Sequence, residues 1–486
     1  MARERNRGPS QIFFSACAKL APMLKRLARA ASWFLGGALV LALIGYAVLY
    51  VANLEDRLPA AEIAAFKRLQ ERASPIIGRG NSYLFILGFA GPPESDPMSL
   101  GIQRYEWMDR ASPEFDRADD PLGEEYNVRA LRSKTVAELA DTCSESELQC
   151  LRLLESEGET VERWLADERW LLDRYRALLS MGEFREAIPF EVLAPLPSYS
   201  VVFEGQRLHI ADAWRSATEI DAAGVSAALD RDLSYWRMVL RNSDALITKM
   251  IATAAIIRHF KLGNIVLRRL PQEVAADGIP ASWRAAISDE ERSMTRTLAG
   301  EWAYVDESTK RIKANSENAF GDSLGLTAVA VWDQVMWALL EPFWQPQDLS
   351  NRHARLMRDI SDAFNVPYEE IPRAVHTADD LQSSAFRPFS RLHNFTGDLV
   401  MGISQWGFSD YAVRVSDLEG IRRVALVVAD LRAAGASKGD MVQRMIASES
   451  LDPYSKAPFT WLESEDAAVF QGLESHKDRS EHKIIF

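Results

Sequence analysis

Only three cysteines and seven histidines occur in 486 residues. That scarcity excludes a disulfide-dense scaffold and leaves few ligands for a structural zinc site. No His-Glu-x-x-His pair is present, so zinc-protease chemistry lacks its ligands. No Gly-x-x-x-x-Gly-Lys-Ser/Thr loop is available to cradle phosphates, and no Gly-x-Gly-x-x-Gly turn follows a strand-like run. No fixed-period repeat is visible. Basic charge is also short: 56 Lys and Arg stand against 69 Asp and Glu, a net −13 that argues against broad nucleic-acid binding.

What is present is unevenly distributed. Residues 1–32 carry seven basic side chains (Arg3, Arg5, Arg7, Lys19, Lys25, Arg26, Arg29) against Glu4, a net of +6, so the remainder is −13 − 6 = −19. Between Arg29 and Glu55 lie 25 residues without charge. As a helix they reach about 37 Å, enough to cross a hydrocarbon core of about 30 Å. Trp33 at one end and Tyr46 and Tyr50 near the other suit interfacial aromatic belts. A cleaved signal peptide fits less well, because the apolar run is long and Tyr50-Val-Ala-Asn53 is a poor cleavage site. The expected organisation is a cytoplasmic basic tail over 1–32 and a transmembrane anchor over 33–52. A helical periplasmic lobe follows over 53–345, then a C-terminal helical lobe with a docked tail over 346–486. The excess of Lys and Arg before the span places the N-terminus in the cytoplasm and the bulk in the periplasm. A second apolar stretch, Ser323–Trp344, has Asp333 and Gln334 mid-run and reads as a buried helix, with membrane-surface contact or a second span as alternatives.

Cys17 falls on the cytoplasmic side, and Cys143 and Cys150 on the far side. An oxidising compartment favours pairing the last two. Seven residues along one straight helix would separate their Cα atoms by about 10.5 Å, too far for a bridge. A disulfide therefore needs a bend, and Ser144-x-x-Glu147 reads as a capping box that would start a helix there. Two free buried thiols are the alternative.

Helical spacing dominates the body, giving a mainly α fold with a few short strands. Val161, Leu165, Leu172, Tyr175 and Leu179 form one stripe; Leu233, Trp236, Leu240, Ile247, Ile251 and Ala254 form a longer one. Ser416-x-x-Glu419 reads as a capping box, with Gly435 just past the helix end. Strands are expected at Tyr83–Phe89, as a hairpin over Tyr199–Phe203 and Leu208–Ile210, and in the tail at Ala467–Phe470 and Ile484–Phe486. The thirteen tryptophans read mainly as core, and the acidic runs Asp116–Asp120 and Glu155–Glu159 as solvated faces.

Gly321-Asp-Ser-Leu-Gly325 matches a serine-hydrolase elbow, but the polar run Lys310–Ala319 before it cannot be the buried strand that elbow needs. His476 and His482 read as solvated, and His209 as a structural histidine in a strand. No catalytic, metal-binding or cofactor-binding residue is assigned, and no cofactor is expected.

Several blocks resemble a family of single-pass inner-membrane proteins of Gram-negative bacteria whose activity is uncharacterised. They are Asn81-x-Tyr83 with Leu87-Gly88-Phe89-Ala90, Asp96-Pro97 and Gly101, the pair Cys143 and Cys150, Arg174-Tyr175, Tyr411-x-x-Arg414-x-x-Asp417-x-x-Gly420, and Asp452-Pro453-Tyr454 with Pro458-Phe459-x-Trp461. The resemblance implies a periplasmic body behind one anchor and brings no catalytic residue. The expected function is a membrane-anchored, non-catalytic binding or interaction protein of the envelope, with protection against an envelope-acting toxin as its narrower version. Its partners would be the lipid bilayer, through the anchor, and an envelope protein. An envelope hydrolase acting on cell-wall or lipid substrates is the alternative.

Overall fold

The chain is mainly helical, 71% helix and 4% strand, as its apolar spacing predicts. The structure, a computed structural model, describes residues 9–71, 77–78, 80–112, 117–186, 194–322, 338–385, 391–403 and 407–486. Two compact units emerge. One comprises Met1–Leu58, Asp322–Leu349 and Arg387–Ile403; the other comprises Pro59–Gly321, Ser350–Phe386 and Ser404–Phe486. No boundary falls between residues 345 and 346 in this division.

The first unit is led by a single helix, Pro9–Ala52. Its segment Arg29–Ala52 is long and apolar enough to cross a membrane, and none of its most apolar window is buried. The second unit is built around a central helix, Leu246–Arg268, flanked by Tyr199–Thr218, Ala222–Asn242 and Phe408–Ala433. That central helix is also long and apolar enough to cross a membrane, yet two thirds of its most apolar stretch is buried.

The expected stripe from Leu233 to Ala254 breaks in the middle. Leu233, Trp236 and Leu240 are fully buried, but Ile247 is exposed. The first helix ends at Asn242 and the next starts at Leu246, so the helical phase restarts and the buried face becomes Thr248, Ala252, Ile256 and His259. The five residues from Val161 to Leu179 are all buried, but on two helices, Gly158–Asp167 and Arg169–Leu179.

Three expected strands fall instead in or beside helices. Tyr83–Phe89 falls in and after helix Ser82–Leu87, with the Asn81 side chain accepting from the Tyr83 N–H at 3.2 Å. A short apolar run bounded by turns fits either element, and here close packing decides. A Cβ on Gly101 would stand 1.7 Å from the Leu84 carbonyl oxygen, so only glycine lets helix Pro97–Ala111 approach this closely. The proposed hairpin at 199–210 is instead the first half of helix Tyr199–Thr218, buried from Gly205 to Trp214 without a break. The tail strands are borne out. β1 (Thr460–Leu462), β2 (Ala467–Gln471) and β3 (Glu481–Ile485) form an antiparallel sheet in the order β1-β2-β3, with Ala468 opposite Ile484.

Cap assignments shift as well. Phe408–Ala433 runs through Ser416, whose hydroxyl donates to the Ala412 carbonyl, while Glu419 pairs with Arg422 and Arg423 instead of capping. Gly435 does follow the end with φ +67°, its N–H bonded to the Arg432 carbonyl and that of Ala436 to the Leu431 carbonyl. Core tryptophans hold as expected: Trp164, Trp236, Trp283, Trp302 and Trp344 are almost wholly inaccessible. Glu155–Glu159 and Asp119 are exposed, while Asp120 is half-buried and its carboxylate pairs with Arg104 at 2.9 Å. The second apolar stretch lies outside the described residues between 323 and 337.

Arginines and one lysine stitch this interior together. Arg174 donates to the carbonyls of Phe89, Gly91, Pro92, Pro93 and Ser95, which fixes the turn beyond Gly88. Lys249, 1% exposed, donates to the carbonyls of Leu240, Glu291 and Ser293 at 3.0, 2.9 and 2.8 Å. Three acceptors match the three N–H bonds of an ammonium, while burial pushes its pKa down to about 7.

Candidate functional site

Cys143 and Cys150 are brought together, with sulfurs 2.02 Å and Cα atoms 4.4 Å apart. The bend that allows it differs from the expected one. Cys143 sits in the last turn of helix Lys134–Glu145, so Ser144 lies inside that helix rather than starting one. The chain turns at Ser146, which caps helix Glu147–Ser156 by accepting from the Gln149 N–H. Seven residues thus fold back over one helix junction.

The Gly-x-Ser-x-Gly match does not assemble an elbow. Helix Thr295–Asp322 leads directly into it, where a strand would be required, and Ser323 lies outside the described residues. His209 is on a helix, and its Nε2 pairs with the Ala228 carbonyl at 3.0 Å, in keeping with a structural role. His482 is not solvated. It is buried in β3, stacked on Phe470 with centroids 5.9 Å apart, and burial beside Lys261 pushes it down to about 4. His476 is exposed.

A polar cluster that sequence reasoning missed lies beneath the central helix. Asp232 accepts from the Tyr175 hydroxyl at 2.5 Å, the Gln206 amide at 3.1 Å and His259 Nδ1 at 2.7 Å. The Trp283 indole donates to His259 Nε2 at 2.7 Å. That nitrogen must offer its lone pair, so the imidazole is neutral and its one proton sits on Nδ1, facing Asp232. Although burial opposes it, the bond from His259 holds the Asp232 carboxyl below its ordinary value. Asp232 and His259 are both wholly inaccessible, and the pair has no route to a substrate. Composition alone would make this an acid–base pair; the closed hydrogen-bond circuit makes it core.

The accessible polar site is a cleft of about 300 Å³ in the second unit. Met250, Ala254 and Ile257 of the central helix form an apolar floor, with Lys261 at one end. Helix Phe408–Ala433 contributes Arg414 and Asp417, and the tail contributes Glu474, Arg479 and His482. The arrangement follows from the sequence locally. The three-residue spacing of Arg414 and Asp417 sets this pair on one side of the helix. A Cβ on Gly420 would meet the Phe470 ring at 2.2 Å, and one on Gly472 would meet Asp417 Oδ2 at 2.3 Å. These two glycines let the sheet and the tail close over Asp417.

Asp417 Oδ1 accepts from the Tyr454 hydroxyl at 2.7 Å and the Leu473 N–H at 3.2 Å. Burial raises its carboxyl to about 7 despite the Tyr454 bond, with Glu474 and Asp452 adding to the rise. Arg414 pairs with Glu474 at 2.5 Å and lies over the Tyr411 ring, 5.3 Å from its centroid. Arg479 approaches the same carboxylate at 3.8 Å, and Lys261 pairs with Glu147 at 2.9 Å. The cleft is therefore lined by charges already engaged within the chain. The one hydroxyl on its wall, Thr253, donates to the Lys249 carbonyl. Among the described residues no group of His, Cys, Asp and Glu side chains could hold a metal ion. Arg414 and Asp417 belong to a block legible in the sequence; Glu474, Arg479 and His482 join it only through the tail's return.

No protein-family model matches the chain, and no curated protein or solved structure matches it either.

Proposed function

We propose that this is a membrane-anchored envelope protein that binds a partner in the periplasm without transforming it. The observation that carries the reading is the bare helix Arg29–Ala52, apolar, near the N-terminus and unburied along its most apolar window. A helix this apolar has no stable place in water, and the basic residues before it set the cytoplasmic side. The paired cysteines of the body support an oxidising compartment, and the blocks that resemble single-pass inner-membrane proteins agree. The cleft of ion-paired groups over an apolar floor suits recognition, because it offers both charge and shape. The test is affinity capture by the full chain in envelope extracts, beside Arg414→Glu. A partner retained by the native chain and lost with Arg414→Glu is expected. Absence of any such partner, together with substrate turnover, would overturn the reading.

One observation favours the envelope hydrolase. Asp417 combines an accessible cleft with a carboxyl raised to about 7, as a general acid needs. Loss of a measured hydrolysis in Asp417→Asn, with the fold intact by circular dichroism, would establish it.

A further inference from the structure

The far end of the apolar helix is bound into a polar knot. The Asn53 amide donates to the carbonyls of Leu49 and Leu392, both at 2.8 Å, and its oxygen accepts from the Asn394 N–H at 2.6 Å. Gln345 donates to the Asn53 carbonyl at 2.6 Å, and its own backbone exchanges two bonds with the Asn394 side chain, at 2.9 and 2.8 Å. Asn394 sits at φ +58°, a conformation asparagine tolerates, and is wholly buried. Segments 338–349 and 391–403 thus return to the anchor some 290 to 340 residues after it.

They do not stop at its end. The Phe343 ring packs edge-on against Tyr46, with centroids 5.0 Å apart. Tyr46 lies seven residues before Asn53, about 10 Å back along the axis. The 24-residue span is about 36 Å long, against a hydrocarbon core of about 30 Å. A contact at Tyr46 therefore falls several ångströms inside the hydrocarbon edge. Tyr46, Leu49 and Asn53 are covered at helical spacing while Val48, Tyr50 and Val51 stay exposed, so one face alone carries the returning chain.

The returning segments have the surface and the backbone bonding that lipid requires. Leu339, Leu392 and Leu399 are 45%, 58% and 36% exposed, and Leu54 beside them is 61% exposed. Backbone carbonyls outside regular bonding are taken up by side chains: Leu340 by the Thr396 hydroxyl at 2.8 Å, Pro342 by Gln345 at 3.3 Å, and Leu392 by Asn53. Without water, such groups must be satisfied internally. Glu341 and Pro342 keep the turn near the headgroups, since a charge is tolerated there and not at the bilayer centre.

From this we infer that residues 338–343 and 392–399 form a second membrane-contacting element, a collar around the outer end of the anchor whose leucines enter the outer leaflet of the lipid bilayer. The inference rests on the reading of Arg29–Ala52 as a membrane span. The collar holds the anchor by one face, so the chain is fixed to the bilayer by a surface instead of a flexible stem.

Depth measurement by spin labelling tests it on the full chain in vesicles of phosphatidylethanolamine and phosphatidylglycerol. The background is Cys17→Ser, with Cys143 and Cys150 bridged and unreactive. Labels go on Leu339→Cys, Leu392→Cys and Leu399→Cys, with Leu39→Cys inside the span and Ile446→Cys on the exposed surface of the body as references. The collar predicts an oxygen-to-nickel collision ratio several-fold higher at all three collar sites than at 446. A lipid signal at 39 with water-like ratios at 339, 392 and 399 overturns the collar and leaves the anchor standing. A water-like ratio at 39 overturns both.

Discussion

Among the described residues, two helices are long and apolar enough to cross a membrane, and they differ sharply in burial. Arg29–Ala52 is the more apolar and is unburied along its most apolar stretch; that of Leu246–Arg268 is two-thirds buried at the centre of the second unit. The difference lies in their polar residues and those residues' partners. The central helix carries Lys249, Thr253, His259 and Asn264, each bonded within the protein: to three carbonyls, to the Lys249 carbonyl, to Asp232 and Trp283, and to the carbonyls of Phe260 and Ala425. Such a helix would lose those bonds in lipid. Helix Arg29–Ala52 has no charged group between Arg29 and Glu55, and its polar partners gather at Asn53. Apolar length therefore nominates a span, and the internal bonding of its polar residues decides.

Breaking the anchor should give the largest effect. Leu39→Arg with Leu43→Arg should make insertion about 6 kcal/mol less favourable. Membrane-retained protein on fractionation should fall sharply, with the melting of the body unchanged. Breaking the central helix should do the reverse. Lys249→Met removes one cation and strands three buried carbonyls, which should cost about 3 kcal/mol and lower the melting temperature while membrane retention stays constant.

A third test sits at the start of the central helix. Glu186 accepts from the N–H groups of Asp244 and Ala245 and from the Thr248 hydroxyl, and burial raises it to about 7 from 4.5. A carboxyl raised on folding binds more protons in the folded chain between pH 4.5 and 7, so its contribution to stability falls as pH rises through that window. His353 and His482, both lowered to about 4, act in the opposite sense below 6.5, so the readout is a difference between variants. Relative to the native chain, Glu186→Gln should gain stability steadily from pH 5 to pH 7.5 in thermal melts. A pH-independent difference would remove Glu186 from the account. The smallest effect concerns the turn joining two helices that cover the central one. Ile220 stands at φ +62° with its side chain 56% exposed, a β-branched residue where glycine is favoured. Ile220→Gly should stabilise by about 1 kcal/mol in denaturant unfolding.

The apolar helix Arg29–Ala52 was legible because a charge-free run needs no tertiary information, and the tail strands because β-formers and turn residues bound them. Helix Tyr199–Thr218 was not legible as a helix. It is buried on nearly every face, so the contrast of apolar and polar positions that marks a period of 3.6 is missing. Ser416 and Glu419 carried the letters of a capping box, yet Glu419 answers Arg422 and Arg423 instead. The cysteine bridge was legible as a need for a bend, though the bend fell at Ser146 rather than Ser144. Of the cleft, only the Arg414 and Asp417 side could be seen in advance, because its other wall arrives with the tail some 60 residues later.

The central claim is that Arg29–Ala52 holds the body on the far side of the membrane. Fusing alkaline phosphatase after Phe486 in a Gram-negative host, in parallel with a fluorescent reporter active only in the cytoplasm, tests it most directly. The account predicts phosphatase activity and no fluorescence. Fluorescence with an inactive phosphatase would contradict it.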